Sequence, residues 1–229
     1  MDQKKRIQAN NFYLVLSGIF IASLVTSNLI FQKFFTWDAF GIYSFQISVG
    51  IIPYPVTFLV TDIVSEIYGK KKANRIVMVG LFASIFTLLI VLLADLSIAT
   101  PWSPVTDDQF HHVFGVTFIG VGASMAAYLA AQFIDVQLFH FWKRLTKGKY
   151  LWLRNNASTV SSQFVDTFTV LFLLCTFGLI QWNLFWELFI NGFLFKILVA
   201  ALDTPLIYII AWRFRKYFGL KGHGAELPE

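Results

Sequence analysis

Six apolar runs, each about as long as a membrane crossing, occupy most of the chain, at about 12–31, 47–68, 76–94, 113–141, 160–182 and 184–212. A helix needs roughly 20 predominantly apolar residues to cross a bilayer. Within hydrocarbon only helices and closed barrels satisfy their own backbone. The runs therefore predict an all-α membrane protein: one transmembrane domain over residues 1–229, with six transmembrane helices in a lipid bilayer. Composition agrees. Hydrophobic residues make up 57% of the chain and charged residues 14%, against about 25% charged in a soluble domain. So few charges cannot cover a globule in water. The first run follows a basic start, as a secretory signal does, but it is longer than the usual apolar region of roughly 7–15 residues. We read it as a retained helix, and the tail 221–229 as disordered.

Orientation follows from the basic residues. Sixteen of the eighteen Lys and Arg fall in four clusters. Lys4, Lys5 and Arg6 precede the first run. Lys70, Lys71, Lys72 and Arg75 follow the second. Lys143, Arg144, Lys147, Lys149 and Arg154 separate the fourth from the fifth, and Arg213, Arg215, Lys216 and Lys221 follow the sixth. In the alternate loops Lys33 stands alone. This positive-inside asymmetry predicts that both termini are cytoplasmic. It also accounts for the net charge of +5 without a nucleic-acid partner. The seven tryptophans lie at run ends or in loops, as an interfacial aromatic belt requires.

A charge within hydrocarbon is costly and marks function by default. Asp62, Glu66, Asp135, Asp166, Asp203 and Lys196 lie deep inside the runs. Counted at 1.5 Å per residue from the basic clusters, Asp62, Asp135, Asp166 and Asp203 lie about 12–18 Å from the inner boundary. Four helices thus contribute acids to one layer, with Lys196 near the midplane. Helical spacing places Asp62 with Glu66, Gln132 with Asp135, Gln163 with Asp166, and Lys196 with Asp203 on common faces. The stretch Gln132-Phe133-Ile134-Asp135 is echoed by Gln163-Phe164-Val165-Asp166. One reading is a set of structural ion pairs and hydrogen bonds that lock helices together. Five acids against one lysine are too negative for a self-neutralised staple. That balance favours a polar cavity near the midplane, completed by protons or by a substrate's donors.

Pro53-Tyr54-Pro55 either breaks the second run beside a cavity or starts its helix. Small-residue stripes at Gly18, Ala22 and Thr26, and at Gly122, Ala126 and Ala130 beside Ala123, Ala127 and Ala131, permit close helix contact, inside the chain or in a homodimer. The single cysteine, Cys175, excludes an intramolecular disulfide and a CxxC site. His111, His112 and His140 read as interfacial or solvated. HExxH, GxSxG, P-loop and GxGxxG motifs are absent, so no cofactor, metal or catalytic residue is expected. Energy for any transport would come from a gradient, a partner or trapping of the product.

The stretch Pro55-Val56-Thr57-Phe58-Leu59-Val60-Thr61-Asp62, continuing through Glu66-Ile67-Tyr68-Gly69-Lys70-Lys71, resembles the signature of the queuosine precursor transporters, a vitamin uptake transporter family. So do Gln132-Phe133-Ile134-Asp135-Val136, Leu151-Trp152-Leu153-Arg154-Asn155, and Ser162-Gln163-Phe164-Val165-Asp166-Thr167. Lys196, followed by Leu202-Asp203-Thr204-Pro205, completes the series, which runs in order from about 50 to 210. The resemblance implies a small-molecule substrate, a 7-deazaguanine base: 7-cyano-7-deazaguanine or 7-aminomethyl-7-deazaguanine. It implies import across the inner (cytoplasmic) membrane of a bacterium, for tRNA modification. It also implies a fold similar to the substrate-binding subunits of energy-coupling-factor vitamin importers. Substrate contact carries over to Asp62, Gln132, Asp135, Asp166 and Lys196, with Glu66, Gln163 and Asp203 beside them. A carboxylate would accept the paired N–H groups of a guanine-like ring. Lys196 or a Gln amide would donate to its carbonyl. Tyr54, Tyr128 or Phe164 would offer an aromatic face. Two other classes stand beside this one: a substrate-binding subunit that needs a separate ATPase module, and a membrane enzyme, against which the missing motifs argue.

Overall fold

Prolines, basic residues and one buried polar stripe decide where the helices of this chain begin and end. The computed structural model describes residues 3–39, 41, 43–115, 117–220 and 225–227. Helix α1 (Gln3–Ile30) leads into an antiparallel hairpin of β1 (Phe34–Ala39) and β2 (Tyr43–Ser48), with Phe34 opposite Ser48 and Ala39 opposite Tyr43. A 3-10 turn at Val49–Ile51 enters α2 (Tyr54–Ile67), and α3 (Lys70–Asp95) returns. A loop containing the short α4 (Asp107–Phe110) and a π-helical turn (His111–Gly115) leads to α5 (Thr117–Leu145). Then come α6 (Leu151–Thr176), a 3-10 turn at Trp182–Leu184, and α7 (Phe185–Phe218). Among the described residues, five segments are long and apolar enough to cross a membrane: Gln3–Ile30, Val49–Ile67, Lys70–Asp95, Leu151–Thr176 and Trp182–Phe218. Helix α5 has 29 residues, about 43 Å at 1.5 Å per residue.

The helices depart from the apolar runs for identifiable reasons. Helix α2 starts at Tyr54, inside the expected run 47–68, and Pro55 sits in its first turn, where a missing N–H breaks no helical hydrogen bond. The prolines therefore start this helix. Helix α6 begins at Leu151 rather than 160, because Arg154, Asn155, Ser158 and Thr159 are polar yet buried. Helix α1 starts at Gln3 and α7 runs on to Phe218. Apolarity marks only the hydrocarbon-embedded part of a helix, and the backbone continues through the basic ends.

The fold is all-α in its spans, as expected, and the hairpin is a small addition between them. In β2 burial alternates, with Phe45 and Ile47 inward, the period of a half-buried strand. Trp37 stacks on Phe45 at 5.7 Å and meets Phe195 of α7 edge-on at 5.5 Å, which fastens the hairpin across the end of the bundle. Ser27 of α1 donates to the carbonyl of Gly50 at 2.5 Å. A Cβ at Gly50 would come within 2.7 Å of the Ser27 carbonyl oxygen, so this close approach requires glycine.

The basic clusters gather at the opposite end. Lys5 donates to the carbonyl of Tyr217 at 3.0 Å, the Tyr13 hydroxyl donates to the carbonyl of Lys72 at 3.1 Å, and the Lys72 ammonium lies 5.1 Å from the ring centroids of both Tyr13 and Tyr68. The start of α1 and the end of α7 share this basic end. Residues 225–227 are seated there rather than loose: Leu227 is buried and donates its N–H to the Ile67 carbonyl at 2.8 Å, while Glu226 pairs with Lys143 at 2.8 Å. The rest of the expected disordered tail, 221–224 and 228–229, lies outside the described residues. Phe20, Val64, Ile67, Ile76 and Val77 form the apolar core shared by α1, α2 and α3. Of the small-residue stripes, Ala123, Ala127 and Ala131 are buried, whereas Cβ atoms built at Gly18 and Gly122 would meet nothing within 4 Å.

Candidate binding site

Helix α6 is amphipathic in the inverted sense. Arg154, Asn155, Ser158, Thr159, Ser162, Gln163, Asp166 and Thr167 recur every three to four residues, which places them on one face, and all are buried. Trp152, Phe164, Phe168 and Phe172 lie on the exposed side. The helix packs against α5 and α7, so its polar face looks into the bundle. Along that face, from the basic end toward the hairpin, the intramembrane acids are held at three levels.

At the lowest level Glu66 of α2 receives three cations. Arg154 of α6 lies at 2.7 Å, Arg215 of α7 at 2.9 Å and Lys143 of α5 at 3.6 Å. Arg154 is only 1% exposed and sits 5.5 Å from the ring centroid of Phe139. Lys143 also donates to the Ser65 and Glu66 carbonyls at 3.4 and 3.3 Å. Glu66 therefore ties four helices together at the basic end, away from the cavities of the upper level.

At the middle level Asp62 of α2 and Asp135 of α5 adjoin each other, both buried. The Ser162 hydroxyl donates to Asp135 Oδ1 at 3.1 Å, and the Thr159 hydroxyl adjoins both carboxyls. Gln132 is fully buried beside Tyr128, and neither end of its amide finds a partner among the described residues. That is a costly state for a buried amide without a ligand or water.

At the upper level Lys196 of α7 donates to Asp166 Oδ2 at 2.6 Å and to the Thr167 hydroxyl at 3.0 Å. Its ammonium stands 4.7 Å from the ring centroid of Tyr54, a cation–π distance. A cavity of about 140 Å³ opens beside this group, walled by Ser27, Tyr54, Asp166, Thr167 and Lys196 and roofed by Gln46 to Ser48 of the hairpin. On the other side of Lys196 a crevice of about 20 Å³ is lined by Gln163, Thr159, Tyr54 and Asp203, and Gln163 Oε1 has no partner. Larger clefts of about 690 and 450 Å³ at the basic end hold none of the expected site residues.

The eight expected residues are thus sorted rather than gathered. Asp166, Lys196, Gln163 and Asp203 line the cavity or crevice. Asp62, Gln132 and Asp135 lie beneath them, and Glu66 is apart. The single acidic layer read from residue counting divides in this way because α6 supplies a different set of partners at each turn. Lys196 pairs with Asp166 on the neighbouring helix, not with Asp203 on its own face. Of the aromatic candidates, Tyr54 walls the cavity and Tyr128 meets it edge-on at 5.5 Å, while Phe164 is exposed and packs on Phe168 and Phe189. Arg154, Ser158, Thr159 and the hairpin roof were missed. The recurrence of polar residues from Arg154 to Thr167 was the available signal. Among the described residues no three His, Cys, Asp or Glu side chains gather as a metal site.

Comparison with known proteins places these residues in a wider context. The family described as "Putative vitamin uptake transporter" matches residues 48–210, which include all eight expected site residues. A protein of Bacillus subtilis (strain 168) named "Probable queuosine precursor transporter" is 28% identical over 195 residues, 83% of this chain and 82% of the relative. A protein of Haemophilus influenzae with the same name is 30% identical over 176 residues, 73% of this chain and 69% of the relative. No solved structure matches the chain.

Proposed function

We propose that this chain, which belongs to the vitamin uptake transporter family, imports 7-deazaguanine precursors of queuosine across the inner membrane of a bacterium. The relatives' shared name supports the substrate class. In this reading α5 is the sixth span, and the basic end lies in the cytoplasm by the positive-inside rule. The hairpin then roofs the cavity from outside, and the Glu66 cluster closes the bundle from inside. The six-helix arrangement would resemble the substrate-binding subunits of energy-coupling-factor importers.

The observation that carries this proposal is the grouping of Lys196, Asp166 and Tyr54 at one cavity. A guanine-like base presents two adjacent N–H donors, a carbonyl acceptor and a flat face. The Asp166 carboxylate can accept both N–H groups, the Lys196 ammonium can donate to the carbonyl, and the Tyr54 ring can cover the face. Without a base, the ammonium and carboxylate satisfy each other. A substrate therefore exchanges one set of charge-assisted bonds for another, at modest desolvation cost. Gln163, with its unpartnered amide oxygen, supplies a further acceptor.

The test is uptake of labelled 7-cyano- and 7-aminomethyl-7-deazaguanine by the purified chain alone in liposomes. Saturable uptake that guanine does not match supports the proposal. Absence of both binding and uptake overturns it. Binding without uptake would assign the chain to the substrate-binding subunits that need a separate energising module.

A further inference from the structure

Each cation near the polar face of α6 is already engaged. Lys196 holds Asp166 at 2.6 Å, and Arg154, Arg215 and Lys143 surround Glu66. Asp62 and Asp135, between these two levels, have no cation in either set. They are 2% and 0% exposed and adjoin each other. From α7 the carboxyl of Asp203 adds its negative field at Asp62. From α6 the pair meets hydroxyls only: Ser162 on Asp135 at 3.1 Å, with Ser158 and Thr159 adjoining. Asp62 Oδ1, Asp135 Oδ2 and the Thr159 hydroxyl make no hydrogen bond to the described residues, and Thr159 is only 5% exposed.

Two carboxylates side by side at membrane depth are stable only with positive charge between them. Their surroundings are oxygens throughout, the donor set of a hard cation. We infer that Asp62 and Asp135, with the hydroxyls of Ser158, Thr159 and Ser162, bind the monovalent cation, a proton or a sodium ion, whose gradient drives transport. The inference rests on the transport function proposed above. It also gives coupling a physical route. The cation bridges α2, α5 and α6, and one turn further along α6 stand Asp166 and Thr167 at the cavity. Both ligands therefore bias the position of the same helix, which is what a coupling free energy requires.

The deciding measurement uses the purified chain in liposomes without any base. Infrared spectra at neutral pH and sodium-22 binding are compared among the wild type, Asp62→Asn, Asp135→Asn and Ser162→Ala. A protonated-carboxyl band removed by either Asn substitution and shifted by Ser162→Ala establishes the proton. One sodium ion bound per chain, lost in the Asn variants and weakened in Ser162→Ala, establishes sodium. If the Asn variants fail to fold, Ser162→Ala decides. A wild type with neither signal, or signals that none of the folded variants alters, overturns the inference. In the second arm, accumulation of the base responds to an imposed pH or sodium gradient and falls at least tenfold in the Asn variants. A wild type that ignores the base altogether refutes the transport function, and the base-free arm still decides the cation site.

Discussion

Arg154 of α6 meets Glu66 of α2 at 2.7 Å, with both side chains almost wholly out of contact with solvent. Arg215 and Lys143 complete the contact from α7 and α5, so a single carboxylate joins four helices. Replacing Glu66 by Ala would leave Arg154 buried without a counter-charge. Removing one partner of a buried pair costs about 3–5 kcal/mol. The expected outcome is a markedly lower melting temperature in detergent, with base binding weakened only as far as the protein unfolds. An unchanged melting temperature would show that the cluster does not hold the helices.

Lys196 is the donor of the cavity. Lys196→Met is expected to remain in the membrane and lose at least tenfold in uptake. Adding Asp166→Asn should recover thermal stability, because it removes the orphaned carboxylate, without recovering uptake. Adding Asp203→Asn should recover neither. Stability that returns with Asp203→Asn instead would assign Lys196 to the partner on its own helix face.

Gly80 sits where α3 crosses α1. A Cβ there would approach Phe20 to 2.5 Å and Leu24 to 3.0 Å. Gly80→Val should lower stability by about 1–3 kcal/mol through overpacking. Gly18→Ala meets open space and should leave the melting temperature unchanged or slightly raised. Equal effects at the two positions would contradict the α1–α3 packing.

Topology is open to a direct check. Reporter fusions after Gly69, after Lys147 and at the C-terminus should behave as cytoplasmic. Fusions near Ala39, Pro104 and Gln181 should behave as external. A cytoplasmic signal at Pro104 would break the six-span arrangement.

The helices were legible wherever apolarity and basic punctuation coincide, as in α3. Pro53 and Pro55 announced the start of α2, although their alternative role in a broken helix could be settled only by seeing what precedes them. The hairpin was hidden because it lies almost wholly between the runs 12–31 and 47–68, and the alternation of Phe45 and Ile47 is too short to stand out from a loop. Residue counting from the basic clusters placed the acids on helix faces that the fold buries inside the bundle. It could not divide them into levels, because depth along one helix says nothing about which side chain of the next helix stands opposite. Arg154 was read with the loop cluster for the same reason: a basic residue near a helix end looks solvated until the partner that buries it is known.

The inverted face of α6 bears on how the protein is made. With α2, this helix is the least apolar of the five candidate spans, and a charge at mid-span costs about 2.5–3.5 kcal/mol on insertion scales. It is poorly suited to leave the translocon alone. Helix α5 emerges first, separated only by residues 146–150, and offers Asp135 to the Ser162 hydroxyl. The counter-charge for Asp166 arrives later, with Lys196 on α7. The side chains that would recognise a substrate would thus also order assembly, α6 becoming fully paired in the lipid only once α7 brings Lys196 to Asp166.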